Sequence, residues 1–171
     1  GSPRAQEVLL PLAKTKAMSL RLAAIEALGV LRVGSAAVDA SLLEAMTDEQ
    51  PDVRQKAAMA LSRVGTADAA GKLLDRLNVA AEQDRGALGI ALSGSLGRAT
   101  DAKLADKIAA SLSSAPDIAR DALIEGLGRM PGAASGKALA TIATGSVDDR
   151  RKAAEALGGH PETRATLVKL L

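Results

Sequence analysis

The stretch DVRQKAAMALSRVG, Asp52 to Gly65, decides how the chain is read. An arginine stands near the start of an alanine-rich run, and a glycine closes it. Val53, Ala57, Ala60, Leu61 and Val64 fall at helical spacing, so the run predicts an amphipathic helix. Arg54 then has three possible roles: chemistry, a contact for an acidic partner, or scaffolding.

Sliding this stretch along the chain separates the three. LRLAAIEALGVLRVG from Leu20, DRGALGIALSGSLG from Asp84, ARDALIEGLGRMPG from Ala119 and DRRKAAEALGG from Asp149 share its frame. Arg21, Arg54, Arg85, Arg120 and Arg150 fall in register, 33, 31, 35 and 30 residues apart. Ala27, Ala60, Ala91, Gly126 and Ala156 follow six residues later, each before a leucine. Self-similarity at about thirty residues marks a stack of helical repeats. A second helix follows in each unit, as in Ala70, Leu73, Leu74 and Leu77 after the turn GTAD. The others are predicted near Val38–Met46, Ala102–Leu112, Ser135–Ala143 and Thr163–Leu171. Pro51-Asp52 and Pro116-Asp117 mark helix starts. Gly34, Gly65, Gly97 and Gly128 punctuate the ends of first helices or the turns after them.

Before the first unit, Ala5, Val8, Leu9 and Leu12 have the spacing of a lone second helix, which Pro11 should kink or shorten. The expected organisation is one repeat domain over 1–171. It comprises a half repeat at 3–14 and repeats at 16–46, 48–77, 82–112, 115–143 and 147–171. The fold class is all-α, an α-solenoid of about five and a half antiparallel helix pairs. Neither end carries the polar cap that solenoids need, so a piece of a longer protein is expected. In the third unit Asp84 precedes Arg85 where an apolar residue is usual. Gly86, Gly89 and Gly94 each weaken its first helix by about 1 kcal/mol relative to Ala. A local irregularity or bend is expected there.

Composition agrees. Of 171 residues, 47% are hydrophobic and 25% charged, yet there is no Phe, Tyr or Trp. A core of Ala, Leu, Val, Ile and Met forms thin layers, which suits closely stacked helices and disfavours a β-sandwich. A net charge of +2 is no nucleic-acid signature, and the absence of cysteine excludes disulfides and thiolate metal sites. No run is long enough to span a membrane and no signal peptide is visible, so a soluble chain is expected, with the cytoplasm favoured over the periplasm and the compartment left open. Gly1-Ser2 looks like a cloning remnant.

The register of PDVRQKAAMALSRVGTADAAGKLLDRL, Pro51 to Leu77, resembles the HEAT repeat family, in particular the short bacterial HEAT-like repeats of phycobilisome lyase subunits. The resemblance extends over nearly the whole chain. It implies paired antiparallel helices stacked into a right-handed, armadillo-type superhelix, with the second helices lining the concave face. It says little about function, because such repeats serve many roles.

Chemistry is hard to place. GTADAAGKL from Gly65 and GAASGKA from Gly132 have the wrong glycine spacing for a phosphate loop and no preceding strand. GALGIALSGSLG from Gly86 falls inside the helical frame, not at a dinucleotide turn. His160, in GGHPET, is the only histidine and is expected on an exposed loop. Catalytic, metal and cofactor sites are therefore expected to be absent. The arginine ladder is expected to be structural, each Arg bonding a neighbouring unit's acid or loop carbonyls, with Asp52, Asp84, Asp117, Asp148 and Asp149 nearby.

A broken basic stripe runs through the second helices. Lys72, Lys103 and Lys137 lie 18, 18 and 17 residues after their arginines, Arg76 and Lys107 follow one turn later, and Arg164 and Lys169 continue it. The stripe is either a docking line for a protein or acidic peptide, or a solvated face offset by Asp75 and Asp106. The expected function is a non-catalytic protein–protein interaction or assembly scaffold using the concave face. The alternatives are a nucleic-acid-binding HEAT-like module, for which the aromatic residues that stack on bases are missing, or a non-catalytic subunit of a bilin-lyase-type enzyme.

Overall fold

The computed structural model of the chain describes residues 3–112, 115 and 117–159. Ten helices and no strand occur among them. They are α1 (Pro3–Leu12), α2 (Met18–Val30), α3 (Ala36–Ala45), α4 (Pro51–Val64), α5 (Ala67–Val79), α6 (Glu82–Leu96), α7 (Ala102–Ser111), α8 (Asp117–Arg129), α9 (Ala133–Ile142) and α10 (Val147–Leu157). The expected second helix at Thr163–Leu171, with His160, Arg164 and Lys169, lies outside the described residues.

Local chemistry explains where the helices start. Pro51 opens α4, where its missing N–H costs nothing. Most second helices begin on a side-chain cap. Ser35 accepts from the Val38 amide, Thr66 from Ala69 and Asp101 from Lys103. Pro11 lies in the last turn of α1, which ends one residue later.

The helices form two layers. The first helices α2, α4, α6, α8 and α10 pack each against the next, and α1, α3, α5, α7 and α9 form the other layer. One continuous core runs between them. The repeat frame sets its centre, because Leu28, Leu61, Leu92, Leu127 and Leu157 are all fully buried.

The two layers are unequally spaced. From α2 to α8 the first helices lie against one another along their length, whereas α1, α3, α5 and α7 touch over short stretches only. Small residues allow the close approach. A Cβ on Gly29 would come within 2.9 Å of the Ala60 Cα, and one on Gly128 within 2.8 Å of the Ala156 Cβ. No aromatic side chain fits such a seam.

One expectation is corrected. α6 is an unbroken helix of 15 residues, not an irregular one. A Cβ on Gly89 would come within 3.1 Å of the Ala122 Cβ, and Gly94 abuts Ser62, so packing on both sides outweighs their low helix propensity; of these three glycines only Gly86 faces open space. Gly128 is the penultimate residue of α8, at the end of that first helix as the frame predicts. Among the described residues the left-handed backbone conformations belong to Gly132 (φ 108°) and Arg32 (φ 51°). Gly34 and Gly65 are needed for space rather than for a left-handed turn, because a Cβ there would strike the Val64 carbonyl oxygen and the Ser95 hydroxyl.

Candidate interaction surfaces

The arginine ladder sits at the ends of the first helices. Arg21 donates to Asp48 at 2.8 Å, from α2 to the loop before α4. Arg54 donates to the carbonyls of Asp48 and Glu49 at 2.9 and 3.1 Å and lies 3.7 Å from Asp84 of α6. Arg120 lies 3.6 Å from Asp149 of α10 and donates to the Leu112 carbonyl, and Arg150 donates to the Gly145 carbonyl. The Nε of Arg85 is enclosed without a hydrogen-bond partner. The side chain of Asp117, which follows it in register, lies outside the described part of the structure.

The basic stripe is dispersed. Lys72 pairs with Asp68 of its own helix at 2.7 Å, and Lys107 reaches across from α7 to Asp75 of α5 at 2.6 Å. Lys72, Lys103 and Lys107 share a groove of about 450 Å³ between α5 and α7 with Asp68, Asp75 and Asp101, so three lysines face three aspartates. Arg76 leaves this line altogether. It donates to the Leu43 carbonyl at 2.7 Å, satisfying the end of α3. Lys137 is exposed on α9.

The outer side of the first helices is chemically different. Met59 of α4 and Ile90 of α6 occupy the same repeat position and are 42% and 53% exposed. Beside Ile90, a groove of about 390 Å³ runs over α6, floored by Gly86, Gly89, Ser93 and Gly94. Ser62 of α4 borders it on one side, and Asp121, Ala122, Glu125 and Arg129 of α8 on the other; with Arg85 of α6 also in the lining, two arginines face two carboxylates. Ser93 is 5% exposed, and its hydroxyl has no hydrogen-bond partner. Asp121 is paired with Lys152 and Glu125 with Arg129, both at the surface. Surface pairs of this kind contribute little and exchange readily. A second groove, of about 490 Å³, follows between α8 and α10.

Two polar features escaped the sequence reading. Asp39, in the first turn of α3, is 1% exposed. It accepts from the Thr66 hydroxyl at 2.5 Å and the Thr66 amide at 3.4 Å. Burial pushes its carboxyl above the usual carboxylate range, and the bonds from Thr66 offset this only in part. Arg98 forks onto the Leu61, Ser62 and Gly65 carbonyls, closing α4 from the next unit. Each partner lies about one repeat away in sequence, so no local pattern reveals either contact.

Among the described residues no group of three or more His, Cys, Asp or Glu is placed to hold a metal ion, and no helix is long and apolar enough to cross a membrane. The chain is similar in fold to the crystal structure of an engineered protein from the Northeast Structural Genomics Consortium. The identity is 17% and the TM-score 0.50, over 96% of this chain and 86% of that one. A second engineered protein from the same consortium matches at 17% identity and a TM-score of 0.49, over 97% of this chain, which spans about half (51%) of that one. No curated protein sequence matches significantly. The profile of HEAT repeats matches residues 7–93, just over half of the 171. With the two-layer stack of helix pairs, this match makes the chain a member of the HEAT repeat family.

Proposed function

We propose that this chain is a non-catalytic protein–protein interaction scaffold that receives its partner on the layer of first helices. The observation that carries this reading is the exposure of Met59 and Ile90 at one repeat position, with a groove beside Ile90. Apolar side chains left half in water beside a concavity favour a protein partner. The test is affinity capture from the native cell extract with mass spectrometry, comparing the parent chain with a Met59→Asp/Ile90→Asp variant of unchanged helicity. The expected result is loss of the retained proteins. Equal capture by both would refute the choice of face.

A second reading rests on Lys103 and Lys137, which are exposed and have no ion pair among the described residues. Together with Lys72 and Lys107 they offer the second helices to an acidic protein or peptide. Arg164 and Lys169 would extend that line. Charge reversal of Lys72, Lys103, Lys107 and Lys137 should then weaken capture with helicity intact, and unchanged capture would end this reading. Asp68, Asp75 and Asp101 in the same groove weigh against it, and they weigh more heavily against a phosphate backbone.

A further inference from the structure

We infer that the open side of α2, at the N-terminal end of the stack, pairs with α2 of a second copy of this chain about a two-fold axis. This contact is separate from the face that receives the partner protein. It follows from how the first helices meet inside the stack, where each presents one side to the first helix before it. Asp84 of α6 reaches back to Arg54 of α4 at 3.7 Å, and Lys56 of α4 reaches back to Glu26 of α2 at 2.7 Å. Ala60 of α4 lies against Gly29 of α2, and Gly94 of α6 against Ser62 of α4. These positions, one before the ladder arginine and two, six and nine after it, are occupied in α2 by Leu20, Ala23, Ala27 and Val30. Among the described residues no first helix precedes α2, and α1 packs against α2 and α3 from the other layer. Leu20 and Val30 are 43% and 63% exposed, and Ala23 is exposed too. In the next unit Val53 and Ala60, at the positions of Leu20 and Ala27, are buried.

The chemistry of this side selects its occupant. Leu20, Ala23, Ala27 and Val30 fall at helical spacing and form one stripe along α2. The stripe is uncharged. α2 carries two charged residues, and both are turned to the following unit, Arg21 to Asp48 at 2.8 Å and Glu26 to Lys56. Joints inside the stack set unlike sides together and carry ion pairs, as Lys56 with Glu26, Arg54 with Asp84 and Lys152 with Asp121. A helix of that charged kind finds nothing on α2 to answer it. A second α2 brings the same uncharged stripe, and a two-fold contact requires a surface that matches itself. Antiparallel pairing about a point between Ala23 and Ala27 sets Ala23 against the partner's Ala27 and Leu20 against the partner's Val30. The alanines let the two helices cross closely, as Gly29 and Ala60 do within the stack. The larger side chains fill the gap that widens toward the ends. Such a contact closes at two copies.

Sedimentation velocity and light scattering over a wide range of protein concentration test this. The parent chain should pass reversibly from monomer to dimer and go no further. Ala23→Glu and Val30→Glu, both at exposed helix positions, should each weaken the dimer by about tenfold or more, because charge enters an apolar contact. Their circular dichroism should be unchanged. Met59→Asp/Ile90→Asp should leave the dimer intact. The chain has no cysteine, so engineered cross-links report one contact without background. Ala23→Cys protein mixed with Ala27→Cys protein should form a disulfide-linked heterodimer on mild oxidation, faster than either variant alone links to itself. A monomer at every concentration overturns the inference. So does a dimer that survives both glutamate variants, or assembly beyond two copies, which marks head-to-tail stacking. Loss of the dimer in Met59→Asp/Ile90→Asp alone would also overturn it and move the contact to the outer side of the first helices. The scaffold reading stands or falls separately, on capture of its partner.

Discussion

Gly86→Ala and Gly94→Ala make the same chemical change in the same helix, and the structure predicts opposite signs. Both substitutions gain about 1 kcal/mol of helix propensity. At Gly86 nothing lies within 4 Å of the new Cβ, so that gain stands alone. At Gly94 the Cβ would sit 2.5 Å from the Ser62 Cβ and 2.6 Å from its Cα, and would also strike its carbonyl oxygen. Two of these three atoms belong to the backbone of α4, so α4 and α6 must move apart. Overpacking of this kind costs about 1–3 kcal/mol, and a backbone clash lies at the upper end. The expected net effect is about 1 kcal/mol stabilising at Gly86 and about 2 kcal/mol destabilising at Gly94. For a chain of this size that corresponds to a Tm about 3 °C higher and about 6 °C lower. Urea and thermal unfolding followed by circular dichroism measure both. Repeat stacks need not unfold in one step, so the comparison rests on the shift of the main transition. If Gly94→Ala raises the Tm as Gly86→Ala does, α4 and α6 are not in backbone contact and the account of the close-packed first helices fails.

The remaining predictions concern the core and its polar ties. Leu61→Ala, at a fully buried position of the repeat frame, should cost about 2–5 kcal/mol in urea unfolding; a cost under about 1 kcal/mol would place Leu61 outside the core. Arg54→Ala leaves the Asp48 and Glu49 carbonyls short of a donor and should cost about 1–2 kcal/mol, seen as a lower Tm; an unchanged Tm would deny the arginine a structural role. Because the folded chain raises the Asp39 pKa, its stabilising contribution is fully present below the unfolded value of about 3.9 and is lost as pH rises through the folded value. Asp39→Asn should therefore be less damaging at pH 7 than at pH 3. Lys56 lowers the Glu26 carboxyl pKa, so Glu26→Gln should show the reverse trend. Unfolding curves for both variants at the two pH values decide the signs, and parallel slopes would refute the assignment.

The repeat frame was legible because each unit solves the same burial problem with the same residues. The Ala-Leu and Gly-Leu pairs placed the centre of every first helix, and the leucines are buried where the frame puts them. Propensity misled at α6, because three glycines argue for a weak helix when α4 and α8 are out of view. The charged side chains were harder to read. Lys72, Arg76 and Lys107 align in sequence as one stripe, but one turns to its own helix, one to a carbonyl of α3 and one to an aspartate of α5. Long side chains choose partners across the stack, and a one-dimensional register carries no such information. Met59 and Ile90 were hidden by their own helices, where an apolar residue on an alanine-rich run reads as core.

The small-residue seam links the fold to the proposed function. Alanine and glycine bring the first helices together, and that closeness leaves a shallow valley over α6. With bulky residues at Gly29, Gly94 and Gly128 the layer would be pushed apart and the valley spread open. The same thinness limits how far larger side chains on this layer can sink into the core, which leaves Met59 and Ile90 half exposed rather than buried. Exposed apolar area of this kind is retained at a cost to solubility unless something covers it. On the second helices the analogous groove is lined by three aspartates and three lysines, two of the lysines already paired, and water alone satisfies it. Met59 and Ile90, exposed at one repeat position, are therefore the physical reason to look for the partner on the first helices.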